Sequence, residues 1–246
     1  MARAGEGDGT QLAESRFGMT RLTAWYGTSV GKKIAMALTG ILLVLYVVVH
    51  MLENLRLYQG PEHLNAYAEF LRDAGAPVLG PGELLWFARL VLLTAVVIHV
   101  VAAIQLARMS RRARPVGYRN PPHDELSYAS RTMRWGGVVI FLFVVYHVLH
   151  LTLGSVHPDY VPGDVYRNVV VGFRSWPVSV VYMLAMVALG LHLYHGIWSM
   201  TQTLGVDHPR VDRLRRPVAA VIAGAVMIGN LSFPVAVLAG WVRLPG

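Results

Sequence analysis

Residues 36–50, MALTGILLVLYVVVH, and residues 133–147, MRWGGVVIFLFVVYH, are two largely apolar stretches, each ending in a histidine. Met36, Gly40 and His50 repeat the spacing of Met133, Gly137 and His147. A hydrocarbon-loving stretch with an ionisable ring at its end is expensive inside a bilayer unless the ring is paired or ligating something, so the histidine marks a functional site. Six of the chain's 10 histidines lie in such surroundings: His50, His99, His147, His150, His192 and His195. Imidazoles spread over several apolar helices point to haem iron as their ligand.

Composition places these stretches in a membrane. Of 246 residues 54% are hydrophobic and only 15% charged, and the mean hydropathy is +0.46, too little polar surface for a soluble domain of this length. Five apolar runs reach the length of about 20 residues needed to cross a hydrocarbon core. They fall at about 32–55, 84–109, 133–156, 177–204 and 217–241. The fold expected is an all-α membrane protein, one transmembrane domain over 1–246, with the first four helices forming a haem-binding bundle. Residues 1–31 begin MARAGEGDGTQLAES, without an apolar run or cleavage site, and are read as a cytoplasmic arm. With 0 cysteines, disulfides, thiolate metal sites and cysteine-held iron–sulfur clusters are excluded from this chain.

The net charge of +8 is distributed like that of a membrane protein, not a nucleic-acid binder. Sixteen of the 22 Lys and Arg lie in three segments on one side of the spans: the arm through Lys32 and Lys33, Arg108 to Arg134, and Arg210 to Arg216. The positive-inside rule then puts the N-terminus in the cytoplasm and, after five spans, the C-terminus outside, and the membrane expected is a bacterial cytoplasmic (inner) one. Solvated loop charge explains the basic face; an acidic partner or anionic lipid is the alternative.

Between the first two spans, residues 60–75 (GPEHLNAYAEFLRDAG) read as an amphipathic helix on the outer surface, with Leu64, Tyr67, Phe70 and Leu71 on one side. The loops 111–126 (RRARPVGYRNPPHDEL) and 157–164 (HPDYVPGD) are rich in helix breakers and are expected to be irregular.

Helical rise sorts the histidines by depth. His50 and His147 lie about 24–28 Å along outward-running helices, and His99 and His192 about 24 Å along inward-running ones. Spans one and three supply an outer pair, spans two and four an inner pair, so two bis-histidine haems stack across the membrane as an electron wire. Gly40 and Gly137, ten positions before His50 and His147, lie within about 80° of the same helix face, and are expected to clear space for a macrocycle above each imidazole. Close helix packing is the other use of such glycines. His147/His150 and His192/His195 are i, i+3 neighbours, and one member of each doublet is expected to ligate while the other bonds a propionate, a quinone or a carbonyl. A bare transition-metal site at a doublet lacks the neighbouring Asp or Glu of a di-iron centre.

Residues 27–55 (GTSVGKKIAMALTGILLVLYVVVHMLENL) and 191–210 (LHLYHGIWSMTQTLGVDHPR) resemble the cytochrome b membrane-anchor subunit of succinate dehydrogenases and fumarate reductases, in its single-polypeptide, five-helix, di-haem form. The resemblance runs from about Gly27 to Gly205 and is strongest in spans one and four. It implies a haem far from the catalytic subunits on helices one and three, and a near one on helices two and four. Its glycine spacings select His147 over His150 and, through Gly196 and Gly205, His192 over His195. It also implies partner flavoprotein and iron–sulfur subunits, two haems b, and quinone, with menaquinone the expected type, as electron acceptor. Some menaquinol-oxidising relatives carry an intramembrane glutamate two residues before the fourth-span ligand; here Gly190 stands there, so a proton path through that position is not expected.

Around the haems, His150, His195, Arg89, Arg108, Arg131 and Arg134 are secondary candidates, the arginines as propionate partners or interfacial anchors. Glu53, Tyr67, Glu69, Asp73 and Arg89 are the polar groups available to a quinone beside the outer haem. Trp25, Ser29 and Lys33 mark the alternative site at the cytoplasmic end. Two other functions fit the same histidines less closely: the di-haem anchor of a hydrogenase or formate dehydrogenase, and a haem-free structural anchor.

Overall fold

The hydroxyl of Thr28 accepts the N–H of Gly31 at 3.0 Å and so caps the first spanning helix, satisfying a donor that a helix start leaves free. The computed structural model describes residues 24–113, 125–206 and 208–245, so the arm before residue 24 and most of the 111–126 loop lie outside the described residues. Five helices are long and apolar enough to cross a membrane: Ser29–Gln59, Glu83–Arg112, Met133–Thr152, Trp176–Thr203 and Pro209–Leu238. Only 6–33% of their apolar windows is buried inside the protein, so most of their Leu, Val and Phe side chains need lipid around them. The protein is an all-α, multi-pass membrane protein.

The bounds of two spans differ from those expected, and a further helix is present among the described residues. The third span, expected to run to residue 156, belongs to a helix that starts at Glu125, and it changes to a π-helical turn at Val148–Thr152 directly after His147. The fifth span, expected at 217–241, belongs to a helix over Pro209–Leu238. Hydropathy marks the part that meets lipid; the helix itself begins at a cap where His208 Nδ1 accepts the Arg210 N–H, followed by Pro209 in the first turn and the ion pair of Arg215 with Asp212 at 2.8 Å. The connection between spans three and four contains a helix, Val165–Arg174, that apolar run length does not reveal. It is capped by Asp164, whose carboxylate accepts the Arg167 N–H at 3.0 Å, and buries Tyr166, Val170 and Phe173.

The first span packs on the second, the third on the fourth, and the fourth most extensively on the fifth. Spans one and four also touch, closing the bundle through Met51, Leu193, Ile197 and Trp198. The bundle therefore has a cap end, with the surface helices Pro61–Asp73 and Val165–Arg174, and a basic end with Lys32, Lys33, Arg108 and Arg210 to Arg216. Asn65 ties the two cap helices together, donating to Asp164 and accepting the Tyr166 N–H, each at 3.0 Å. In the helix Pro61–Asp73, Leu64 is buried, while Phe70 is 62% exposed and stacks with Tyr67, ring centroids 6.3 Å apart. The segment 157–164 is irregular yet anchored: Asn168 accepts from the Val161 N–H and donates to the Val161 carbonyl.

Candidate functional site

Two pairs of imidazoles face each other across the bundle. His50 of the first span and His147 of the third stand edge to face with ring centroids 5.9 Å apart. His99 of the second and His192 of the fourth stand 6.4 Å apart at 62°. A metal–imidazole bond of about 2.0 Å, with the ring centre about 1.1 Å behind the nitrogen, puts two rings on one metal about 6.3 Å apart. The His99/His192 pair, at 6.4 Å, is at that separation, and the His50/His147 pair, at 5.9 Å, is close to it.

The glycines belong to the opposite pair from the one expected. A Cβ on Gly40 would lie 3.4 Å from His99 Cε1, and one on Gly137 would lie 3.8 Å from His192 Cε1. Ten residues of helix rise about 15 Å, so a residue ten before one histidine sits at the level of the other pair. Ten steps of about 100° also turn the glycine's face about 80° from the ligand's, so both the facing and the depth differ.

His99, His50 and His147 are held by neighbours. His99 donates its Nδ1–H to the Met36 carbonyl at 3.1 Å, with the Thr39 hydroxyl 3.3 Å away, and Nε2 is left to bind. Tyr46 stacks on His50, centroids 5.3 Å apart at 20°. Nδ1 of His192 is buried without a partner. The doublets separate in their surroundings: His150 is fully buried among Tyr146, His157 and Tyr182, while His195 meets Trp198 edge to face at 4.9 Å. The Tyr182 hydroxyl lies 3.0 Å from His150 Nδ1 and 3.4 Å from His147 Nδ1.

The polar candidates divide. Glu53 pairs with Arg56 at 2.6 Å, Arg56 lies over the Tyr67 ring, and these three line one recess at the cap end with His63, Ala66 and Phe70. Burial raises the Tyr67 phenol above its ordinary range and the Glu53 carboxylate adds to this, with Arg56 opposing. Arg89 is elsewhere, exposed and stacked over Trp86 in a second recess with Arg72. Glu69 and Asp73 are exposed and line neither recess. At the basic end Arg108, Arg134, Trp25, Ser29 and Lys33 are exposed, and the side chain of Arg131 lies outside the described residues. Lys32, not Lys33, is the buried lysine there, donating to the carbonyls of Tyr26 and Gly27. Sequence reading passed over Tyr182, Tyr46 and Arg56. Tyr182 had a signal, since it stands ten residues before His192 and therefore at the level of His147.

A family model for the succinate dehydrogenase/fumarate reductase transmembrane subunit matches residues 108–231, just over half of the chain. The chain belongs to that family. The matched stretch contains His147, His150, His192 and His195, while His50 and His99 come from the two spans before it. No curated protein and no solved structure matches the chain.

The residues of this succinate dehydrogenase/fumarate reductase transmembrane subunit fit a haem better than a bare ion. Among the described residues no three His, Cys, Asp or Glu side chains converge as a metal site. A metal that brings four equatorial nitrogens of its own needs only the two imidazoles that each pair offers. At Gly190 a Cβ would stand 2.8 Å from Met227 Sδ, so the close contact with the fifth span leaves no space for a glutamate.

Proposed function

We propose that this transmembrane subunit is a di-haem cytochrome b, with haem iron held by His50 and His147 toward the outside of a bacterial inner membrane and by His99 and His192 toward the cytoplasm. The observation that carries the reading is the pair of imidazole couples at two depths, each at or close to the spacing of two ligands on one metal. When bound, the haems supply one-electron carriers linking an iron–sulfur subunit, fed by a succinate-oxidising flavoprotein, to membrane quinone, with menaquinone expected. The chain's own part is to present neutral imidazoles, exclude water and hold the ring planes; the dicarboxylate chemistry lies on the partner subunits. The lysines and arginines of the basic end support its cytoplasmic placement, with the N-terminus inside and the C-terminus outside.

For quinone, the recess of Glu53, Arg56 and Tyr67 is the best-supported site. Glu53 is one helical turn beyond His50, so a quinone there exchanges protons with a carboxylate and a phenol beside the His50 pair. The reading is tested with the complete complex carrying His50→Ala. Succinate-driven quinone reduction is expected to be lost, while succinate oxidation by a soluble artificial acceptor persists. Quinone reduction at the normal rate in a complex verified to lack that haem would overturn the cap-end site and move it to the basic end near Trp25, Ser29 and Lys33.

A further inference from the structure

Tyr182 stands between two histidines whose roles differ, and its single proton restricts how all three are joined. Its ring is buried and gripped edge-on by Phe143 and Phe173, each with centroids 4.9 Å away, so the hydroxyl has a set position. That hydroxyl is 3.4 Å from His147 Nδ1 and 3.0 Å from His150 Nδ1. A phenol has one proton to give, so it donates to one ring and accepts from the other.

On the reading above, in which His147 holds iron, the Tyr182 hydroxyl beside Nδ1 leaves Nε2 for the metal, so Nδ1 carries the proton and must donate. We propose that Tyr182 is the positioning residue of the His50/His147 site, accepting the Nδ1–H of His147 and donating its own O–H to Nδ1 of His150. The ring of His150 is held in place, clamped between Tyr146, stacked at 8°, and His157; its proton is then on Nε2, whose burial without a partner is a cost of the arrangement. His157 is itself fixed, donating from Nε2 to the Asn168 carbonyl at 2.8 Å and accepting the Asp159 N–H at Nδ1. Gly172 completes the seat, because a Cβ there would stand 2.8 Å from His150 Cε1. The π-helical turn at Val148–Thr152 is where His150 leaves the third span for this seat. His99, by contrast, donates to a backbone carbonyl, so the two sites differ in what holds the ligand: a pure acceptor in one, a phenol that is itself polarised by a further histidine in the other.

Removing an acceptor from a ligating imidazole makes it a weaker donor to iron and favours the reduced metal. The test is a redox titration of the purified complex with all its subunits, together with electron paramagnetic resonance of the oxidised low-spin haems. The wild-type complex is measured first: two haems b, one of which disappears in His50→Ala, are required by the functional reading, and their absence overturns that reading and this proposal with it. Tyr182→Phe is expected to keep both haems, to raise the potential of the haem that His50→Ala loses, to move its largest g-value, and to leave the other haem unchanged. His150→Leu should shift the same haem in the same direction by less. The double variant should shift it no further than Tyr182→Phe alone, since the groups act in series. Unchanged potentials and g-values in both single variants, additive shifts in the double, or a shift confined to the other haem would overturn the proposal. Should Tyr182→Phe fail to assemble or lose the haem, His150→Leu decides alone: a shift of that haem supports the proposal and none overturns it.

Discussion

Gly40 lies against the imidazole of His99, where a Cβ would be 3.4 Å from Cε1 and 3.7 Å from Nδ1. A glycine on the first span thus clears space for the ring of the second, about 15 Å along the helix from the first span's own His50.

Gly40→Leu is therefore expected to displace His99 and remove the haem of the His99/His192 pair, while leaving that of His50/His147. Gly40→Ala, whose methyl meets only ordinary contacts, should retain both. Haem content per chain and low-temperature spectra of the two variants check this, and loss of the His50/His147 haem from Gly40→Leu would contradict it.

Replacing His50 or His147 by Ala should cost the same haem, and His99 or His192 the other, each time leaving one of two. The double variant His50→Ala/His147→Ala should lose no more haem than either single change. Spectra that differ between the two members of a pair would show that the pairing by ring distance is wrong.

His195→Ala should keep both haems. Its ring meets Trp198, not His99, and the change removes that edge-to-face contact, worth about 0.5–1.5 kcal/mol of stability. Thermal unfolding in detergent with haem absorbance as the second signal separates this from ligand loss.

Gly190→Ala should destabilise the contact of the fourth and fifth spans by about 1–3 kcal/mol, since the added methyl would stand 3.0 Å from Met227 Cβ as well as 2.8 Å from its Sδ. Met227→Ala in the same chain should recover part of the loss. A lowered melting temperature with unchanged haem spectra is the expected signature.

The membrane architecture was legible because apolar run length answers directly to bilayer thickness. His50, His99, His147 and His192 stood out for the same reason, as ionisable rings at depth. What stayed hidden depends on geometry that run length does not carry. Val165–Arg174 is a short surface helix recognised by its Asp164 cap and its packing, not by hydropathy. The π-helical turn after His147 alters the helical phase that an i, i+3 argument takes as constant. Gly40 and Gly137 were assigned to the histidines of their own spans, although a rise of about 15 Å over ten residues puts them at the level of the other pair, His99 and His192. Glu53, Tyr67 and Arg89 share polarity and sequence neighbourhood, yet the chain's turn between the first two spans puts Arg89 in a different recess.

The central claim is that each imidazole couple holds one haem. Quantifying haem as its pyridine derivative against protein in the purified complex, with a dithionite-reduced spectrum and electron paramagnetic resonance of the oxidised form, measures it most directly. Two haems b per copy of this chain, both low-spin and six-coordinate, are predicted; one haem per chain, none, or high-spin iron in the native protein would contradict it.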